Sequence, residues 1–144
     1  PDKICTPHRN ISRIWISWLR IAYPRAEIWT GWSEAHLPGI HVYPDALAWG
    51  RIQGYETLFW LEFGDGHKKK EAIKRITRIR LESALKFCQV TGVRLVYAQI
   101  SPKWVQKAVG AALGPLPPDM AAVMTSPRRF GNLPTVEWGS ITMI

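Results

Sequence analysis

The stretch Trp60–Lys70 reads WLEFGDGHKKK, and it runs from an apolar strand into a cluster of cations. Two carboxylates, Glu62 and Asp65, stand just before three lysines. An ordinary strand-to-helix loop is one interpretation of this pattern, and a metal-dependent phosphodiesterase site is the other. The sequence before and after this stretch distinguishes these two interpretations.

The helix that follows is the clearest element of the chain. Apolar residues recur at helical spacing from about Lys68 to Val90, and Gly92 stands where a helix-ending glycine is expected. Apolar spacing and breakers predict a helix at 11–23, strands at 27–32, 40–49, 57–63 and 93–100, and a last helix at 102–113. Helix, three strands, helix, strand and helix make an α/β domain with a mixed sheet flanked by helices.

The length and composition predict a single basic domain that spans residues 1–144. The chain has 144 residues, is 47% hydrophobic, contains eight Trp and carries a net charge of +8. Such a charge favours a polyanionic partner, first of all nucleic acid, although a basic protein without that role is the alternative. Residues 115–144 read as an irregular C-terminal extension with MAAVMT as an edge strand. The chain does not begin with Met, which suggests a domain excised from a longer protein.

Cysteines and hydropathy suggest a cytoplasmic setting. Cys5 and Cys88 have no metal-binding spacing, and two isolated cysteines fit a reducing compartment. No apolar run approaches the length of a membrane span, so no membrane partner is expected.

Two carboxylates are predicted to meet on the sheet. If Gly50 pairs with Thr57 across the second and third strands, then Asp45 stands opposite Glu62 and both point to one face. Close carboxylates repel unless a cation lies between them, and oxygen ligands suit Mg²⁺ or Mn²⁺. The alternative is that one of the two faces solvent at a sheet edge.

The basic residues divide between the apolar and polar arcs of the long helix. Lys69 shares a stripe with Ile73, Ile76 and Arg80, so it is expected to point toward the sheet near Glu62, unless it reaches solvent at a frayed helix end. Arg80 in this arc needs a carboxylate, a carbonyl or an exit to water. The outward cations are the candidate DNA-backbone contacts, and they are Lys70, Lys74, Arg75 and Arg78. His41, His67, Lys68 and Asp65 flank the expected site as additional candidates.

The segments YPDALAW (Tyr43–Trp49) and LFWLEFGDGHKKK, followed by a basic helix, resemble the PD-(D/E)XK nuclease superfamily. Within it, residues 32–66 are similar to the replication-relaxation family of plasmid and mobile-element proteins. The resemblance implies a restriction-endonuclease-like α-β-β-β-α-β core and an N-terminal winged-helix region outside this chain. It carries the motif acids onto Asp45 and Glu62, with Glu34 as a weaker third acid.

The motif lysine does not carry over, because Gly64 stands at its position. Some superfamily members supply the lysine from the next helix, which makes Lys69 the best-placed substitute, and others have lost activity and only bind. The expected function is therefore a divalent-metal-dependent DNA endonuclease of a plasmid, transposon or integrative element, using Mg²⁺ or Mn²⁺. The alternative is a catalytically inactive DNA-binding or assembly domain. A homodimer and other proteins of a mobile-element machinery are left open as partners.

Overall fold

The computed structural model describes residues 14–33, 44–64, 66–129 and 132–144. Residues 14–22 are helical and form α1. The strands are β1 (Glu27–Ser33), β2 (Ala46–Ile52), β3 (Tyr55–Phe63), β4 (Arg94–Ile100), β5 (Met120–Thr125) and β6 (Ile141–Met143). The longer helices are α2 (Lys70–Thr91) and α3 (Lys103–Leu113), and a 3₁₀ turn covers Pro127–Arg129. The predicted α/β class with a mixed sheet is confirmed.

The six strands of the described part of the chain lie in sequence order across one sheet. β1, β2 and β3 form an antiparallel meander. β4, β5 and β6 each pair parallel to the preceding strand, so the chain must return to the same end of the sheet each time. α2 and α3 make the first two returns. The carboxyl ends of β3, β4 and β5 therefore meet at one edge of the sheet.

A two-residue turn sets the register of β2 against β3. Gln53 and Gly54 both have positive φ, 54° and 83°, as a type I′ hairpin turn requires. This turn pairs Ile52 with Tyr55 and hence Gly50 with Thr57, as predicted. Gly50 also allows β1 to approach closely, because a Cβ at this position would collide with the Glu27 carbonyl oxygen. The register of the candidate site residues follows from this turn.

Alternation along the strands gives the sheet two apolar faces. One face packs under α1, with Trp15, Leu19, Phe59 and Val96 fully buried. The other packs under α2 and α3, where Leu47, Trp60 and Tyr97 are among the buried residues. Because β3 and β4 have a helical layer on each face, both strands read as continuous apolar runs.

Two boundaries differ from the sequence prediction. α2 begins at Lys70 rather than Lys68, and Lys69 is its N-cap with extended φ and ψ of −71° and 150°. The segment MAAVMT is an interior strand rather than an edge strand, because β6 pairs beyond it. Residues 115–144 therefore extend the sheet as well as containing irregular chain. The short β6 has no strong alternation of its own, and so only the neighbouring β5 was visible in the sequence.

Candidate active site

The candidate site lies at the carboxyl ends of the parallel strands. Glu62 of β3 pairs with Gln99 of β4. Every second residue of a strand points to the same face of the sheet. Trp60 and Tyr97, two residues before Glu62 and Gln99, belong to the core under α2 and α3, so Glu62 and Gln99 point to that face as well. In open α/β sheets, ligands commonly bind outside this edge.

Asp45 reaches the same place from the start of β2. Its N–H donates to the Leu61 carbonyl at 3.0 Å, and the Phe63 N–H donates to Asp45 Oδ2 at 2.7 Å. These two bonds continue the β2–β3 ladder by one residue and hold the Asp45 carboxylate beside Glu62. The predicted meeting of the two carboxyl groups on one face is therefore what the structure has.

Glu62 is a buried acid whose environment favours its neutral form. Only 1% of the residue is exposed. Burial raises the Glu62 pKa most, and the Asp45 charge raises it further. The Arg80 guanidinium and the Trp60 indole N–H, which donates to Oε2 at 2.9 Å, oppose this rise. The balance raises the pKa of Glu62 to about 8.

Arg80 is the counter-ion that the sequence required. Its Nε lies 2.9 Å from Glu62 Oε2, and 23% of its side chain is exposed. Among the described residues, neither Arg80 Nε nor Glu62 Oε1 has a well-aligned hydrogen-bond partner. The contact therefore has imperfect geometry, and it becomes an ion pair only when Glu62 loses its proton; the other buried oxygen of Glu62 has no donor among the described residues.

A cavity of about 380 Å³ opens over this group. Asp45, Arg80 and Gln99 contribute to its wall, and His67 and Lys68 contribute from the loop before α2. Glu62 lies directly behind the wall, in contact with Arg80. The arrangement brings the Asp45 carboxylate, the Arg80 guanidinium and Lys68 to one concave surface, with the buried Glu62 in contact with Arg80.

The orientation predicted for Lys69 was wrong. The prediction extended the helical wheel back to Lys69, but the helix begins one residue later and Lys69 has extended backbone. Lys69 is exposed and is absent from the cavity wall, whereas the exposed Lys68 forms part of that wall. Of Lys68, Lys69 and Lys70, Lys68 is therefore the one that lines the same cavity as Asp45.

Gly64 has a packing reason for lacking a side chain. A Cβ at this position would lie 2.7 Å from Ser101 Oγ and 3.3 Å from Gln99 Nε2. Ser101 Oγ accepts hydrogen bonds from Gly64 N at 3.1 Å and from Gln99 Nε2 at 2.6 Å. A lysine at the motif position would displace this network. Neither polar residue, Gln99 nor Ser101, was singled out from the sequence, although both interrupt or end an apolar strand.

Two of the four predicted backbone-binding cations, Arg75 and Arg78, lie on a different surface of α2. Ile73, Ile76 and Arg80 mark the side of α2 that faces the cavity, and at 100° per residue Arg75 and Arg78 point away from it. Arg75, Arg78 and Lys70 are exposed, and Lys74 is half-buried. Glu34, His41 and Asp65 lie outside the described residues.

A larger concavity, of about 620 Å³, lies at the opposite end of the sheet beside the Gln53–Gly54 turn. Its described wall is mainly apolar, with Arg25 as the charged residue. It offers no carboxylate pair among the described residues, and we assign the chemistry to the smaller cavity.

The carboxyl pair is the place at which the described residues would accept one divalent cation, although they contain no group of three or more His, Cys, Asp or Glu able to hold a metal. The oxygen without a donor on Glu62 and the adjoining Asp45 carboxylate are hard ligands of the kind that Mg²⁺ takes in ones and twos, completing its shell with water and substrate phosphate. Asp45 and Glu62 are thus the residues that would hold it.

Metal affinity should depend steeply on pH. Because the raised pKa keeps a proton on Glu62 below about pH 8, a cation must displace that proton. We expect Mn²⁺ affinity to fall by roughly tenfold for each pH unit below about 8 and to level off above it. Titration of Mn²⁺ by electron paramagnetic resonance measures this. Glu62→Gln, which keeps the shape and removes the titrating group, should bind weakly with a flat profile, and a flat profile for the unaltered protein would contradict the assignment.

Within the described residues, no helix is long and apolar enough to cross a membrane. Comparison with known proteins gave no match: no family model, no curated protein and no solved structure is significantly similar to this chain.

Proposed function

We propose that this domain is a divalent-metal-dependent DNA endonuclease that hydrolyses phosphodiester bonds. The observation that carries the proposal is the Asp45–Glu62 carboxyl pair beside a cavity whose rim bears Lys68 and His67. The likeness of the Pro44-Asp45 and Glu62 motifs to the PD-(D/E)XK superfamily supports DNA as the substrate. The likeness to replication-relaxation proteins supports a plasmid, transposon or integrative element, and a cytoplasmic setting, as its context.

Each residue has a role that follows from its position. Asp45 and Glu62 would hold Mg²⁺ or Mn²⁺, and a cation there would supply Lewis-acid chemistry for phosphodiester hydrolysis. Lys68, exposed at the rim, stabilises the negative charge that grows on the attacked phosphate. Arg80 neutralises Glu62 when no cation is present, and it has room to move because part of its side chain reaches the cavity.

The activity test is incubation with supercoiled, linear and single-stranded DNA in Mn²⁺, with a parallel series in EDTA. Cleavage products that need Mn²⁺ and vanish in EDTA support the proposal. Binding of DNA without any product, in Mg²⁺ and in Mn²⁺, would exclude it.

Among the three adjacent lysines, Lys68 should matter most for cleavage. It alone of Lys68, Lys69 and Lys70 lies on the cavity wall, and all three are exposed. We expect Lys68→Ala to slow single-turnover cleavage by about 10- to 100-fold, about 1.4 to 3 kcal/mol of transition-state stabilisation. Lys69→Ala and Lys70→Ala are matched controls of equal charge change and should stay within about threefold of the unaltered protein. A larger loss in Lys69→Ala would restore the role that the sequence suggested for it.

A catalytically inactive DNA-binding or assembly domain is the second candidate. The Arg80–Glu62 ion pair favours it, because a guanidinium already neutralises the acid that would bind the metal. Gly64, in place of the motif lysine, favours it as well. DNA binding that is the same with Mn²⁺ and with EDTA, and no cleavage in either, is the result this candidate predicts.

A further inference from the structure

Trp104 is a large aromatic side chain at the start of α3 that remains 44% exposed. Its indole lies beside Gly66, where an added Cβ would stand 3.4 Å from both Cζ2 and Nε1. Gly66 has a φ of 89°, a conformation that favours glycine. The backbone of the loop before α2 can therefore pack closely against the edge of the Trp104 ring. The loop therefore supports the indole on one side and leaves much of it open to solvent.

The position of Trp104 ties it to the candidate active site. Gly66 contributes to the cavity wall and is followed by His67 and Lys68, which do the same. Val105, the next residue of α3, also lines the cavity. The exposed indole thus stands at the rim, next to the place where a phosphodiester would approach Asp45.

The surroundings of Trp104 suit a polyanion. Exposed lysines follow Gly66 and flank Trp104 in the described part of the chain, and they are Lys68, Lys69, Lys103 and Lys107; Glu71 is an exposed acid in the first turn of α2. The first turn of α3 contains no acidic residue. Aromatic rings set among cations are the surface by which proteins hold unpaired nucleotides, since each base can stack on a ring while lysines follow the backbone.

Trp29 provides a contrast with the same exposure. It is 47% exposed on the edge strand β1, but its indole N–H donates to Glu27 Oε2 at 3.1 Å and Arg51 lies over its ring at 5.4 Å. The indole N–H of Trp29 and one face of its ring are therefore already in contact with neighbouring residues of the protein. Exposure alone therefore does not distinguish the two residues, whereas the cationic rim does.

We propose that Trp104 stacks on an unpaired base, so that the site takes single-stranded or locally unpaired DNA rather than intact duplex. The physical reason is that bases inside a duplex are already stacked on each other and offer no free face to the indole. The proposal rests on the proposed function for the statement that the bound strand is the one cleaved, but base stacking itself is testable without cleavage.

The experiment is fluorescence anisotropy in EDTA with three labelled probes of equal length: a thymidine oligonucleotide, the same backbone without bases, and a blunt duplex. We expect Trp104→Ala to weaken binding of the thymidine probe by about 5- to 100-fold, the range for loss of one base–aromatic stack. Trp104→Phe should recover most of that loss. Trp29→Ala should bind like the unaltered protein, and the baseless probe should not distinguish the variants.

Circular dichroism of each variant checks that the fold is retained. Equal binding of the thymidine probe by Trp104→Ala and Trp29→Ala would overturn the inference, as would an equal loss on the baseless probe. If the loss is specific to bases but the protein never cleaves, base stacking stands and the nuclease proposal fails. If the protein cleaves intact duplex and Trp104→Ala does so equally well, the nuclease proposal stands and base stacking fails.

Discussion

Asp45→Asn is expected to reduce Mn²⁺-dependent DNA cleavage by about a thousandfold, because it removes a charged ligand from the proposed cation site. The cation is expected to contribute several kcal/mol of transition-state stabilisation, and each ~1.4 kcal/mol is a factor of ten in rate. Asparagine is the informative replacement, since its carbonyl oxygen can still accept the 2.7 Å bond from Phe63 N–H. It also relieves the charge repulsion with Glu62, so folding should be preserved.

Single-turnover cleavage at saturating protein measures this effect on the chemical step. Asp119→Asn is the matched control, because Asp119 is exposed and precedes Met120, which pairs with Leu95 at the other end of the sheet. DNA affinity in EDTA should be unchanged or slightly higher in both variants, since neither removes a cation. Cleavage by Asp45→Asn within a few-fold of the unaltered protein would remove the carboxyl pair from the mechanism.

Arg80→Met should lower the free energy of unfolding progressively above about pH 8, by about 1.4 kcal/mol for each pH unit and up to about 3 kcal/mol. It leaves Glu62 buried beside Asp45 without a counter-ion, and breaking a buried pair typically costs about 3–5 kcal/mol. The lower end applies because 23% of the Arg80 side chain is exposed. Below the raised Glu62 pKa the carboxyl group is protonated, so the loss should shrink as the pH falls toward about 6.

Urea unfolding of Arg80→Met, followed by circular dichroism at about pH 6 and at a pH above 8, gives the free energies of unfolding. Arg78→Met is the control on the same helix, since Arg78 is exposed, and it should change stability by less than about 0.5 kcal/mol. The double variant Arg80→Met with Glu62→Gln should recover much of the loss, because the buried charge is then absent. Equal effects of the two single arginine variants would show that the ion pair contributes little.

The same arginine separates the two candidate functions. In a nuclease that binds a cation at Asp45 and Glu62, Arg80 competes with that cation, so Arg80→Met should tighten Mn²⁺ binding even as it lowers stability. In an inactive domain, Arg80 fills the place permanently, so the unaltered protein should show no saturable Mn²⁺ site.

The β2–β3 pairing that brings Asp45 to Glu62 could be predicted because it depends on a local turn. Gln53 and Gly54 suit a two-residue hairpin turn, and a pairing of Gly50 with Thr57 carries Asp45 to Glu62 by counting alone. The need of Arg80 for a partner was also visible, since a cation within an apolar arc rarely lacks one. The identity of that partner, Glu62, could not be predicted, because the sequence does not give the distance between α2 and β3.

The failures have physical causes as well. The direction of Lys69 depended on whether the helix began at residue 68 or at residue 70, and a difference of one or two residues in a helix boundary decides between helical and extended backbone at its first residues. The role of Gly64 depended on Ser101, which is distant in sequence and meets it only after β4 has paired. The strands β5 and β6 are short, and β6 is defined by its pairing with β5 rather than by its own pattern.

Anomalous diffraction from crystals soaked in Mn²⁺ at about pH 8.5 tests the central claim most directly, since at that pH the Glu62 carboxyl group should have lost its proton. We expect a single strong peak between the carboxylates of Asp45 and Glu62, with the Arg80 guanidinium displaced from Glu62. A peak should be absent from crystals of Asp45→Asn treated in the same way. An Arg80 guanidinium still in contact with Glu62, with no anomalous density beside Asp45, would contradict the proposed cation site.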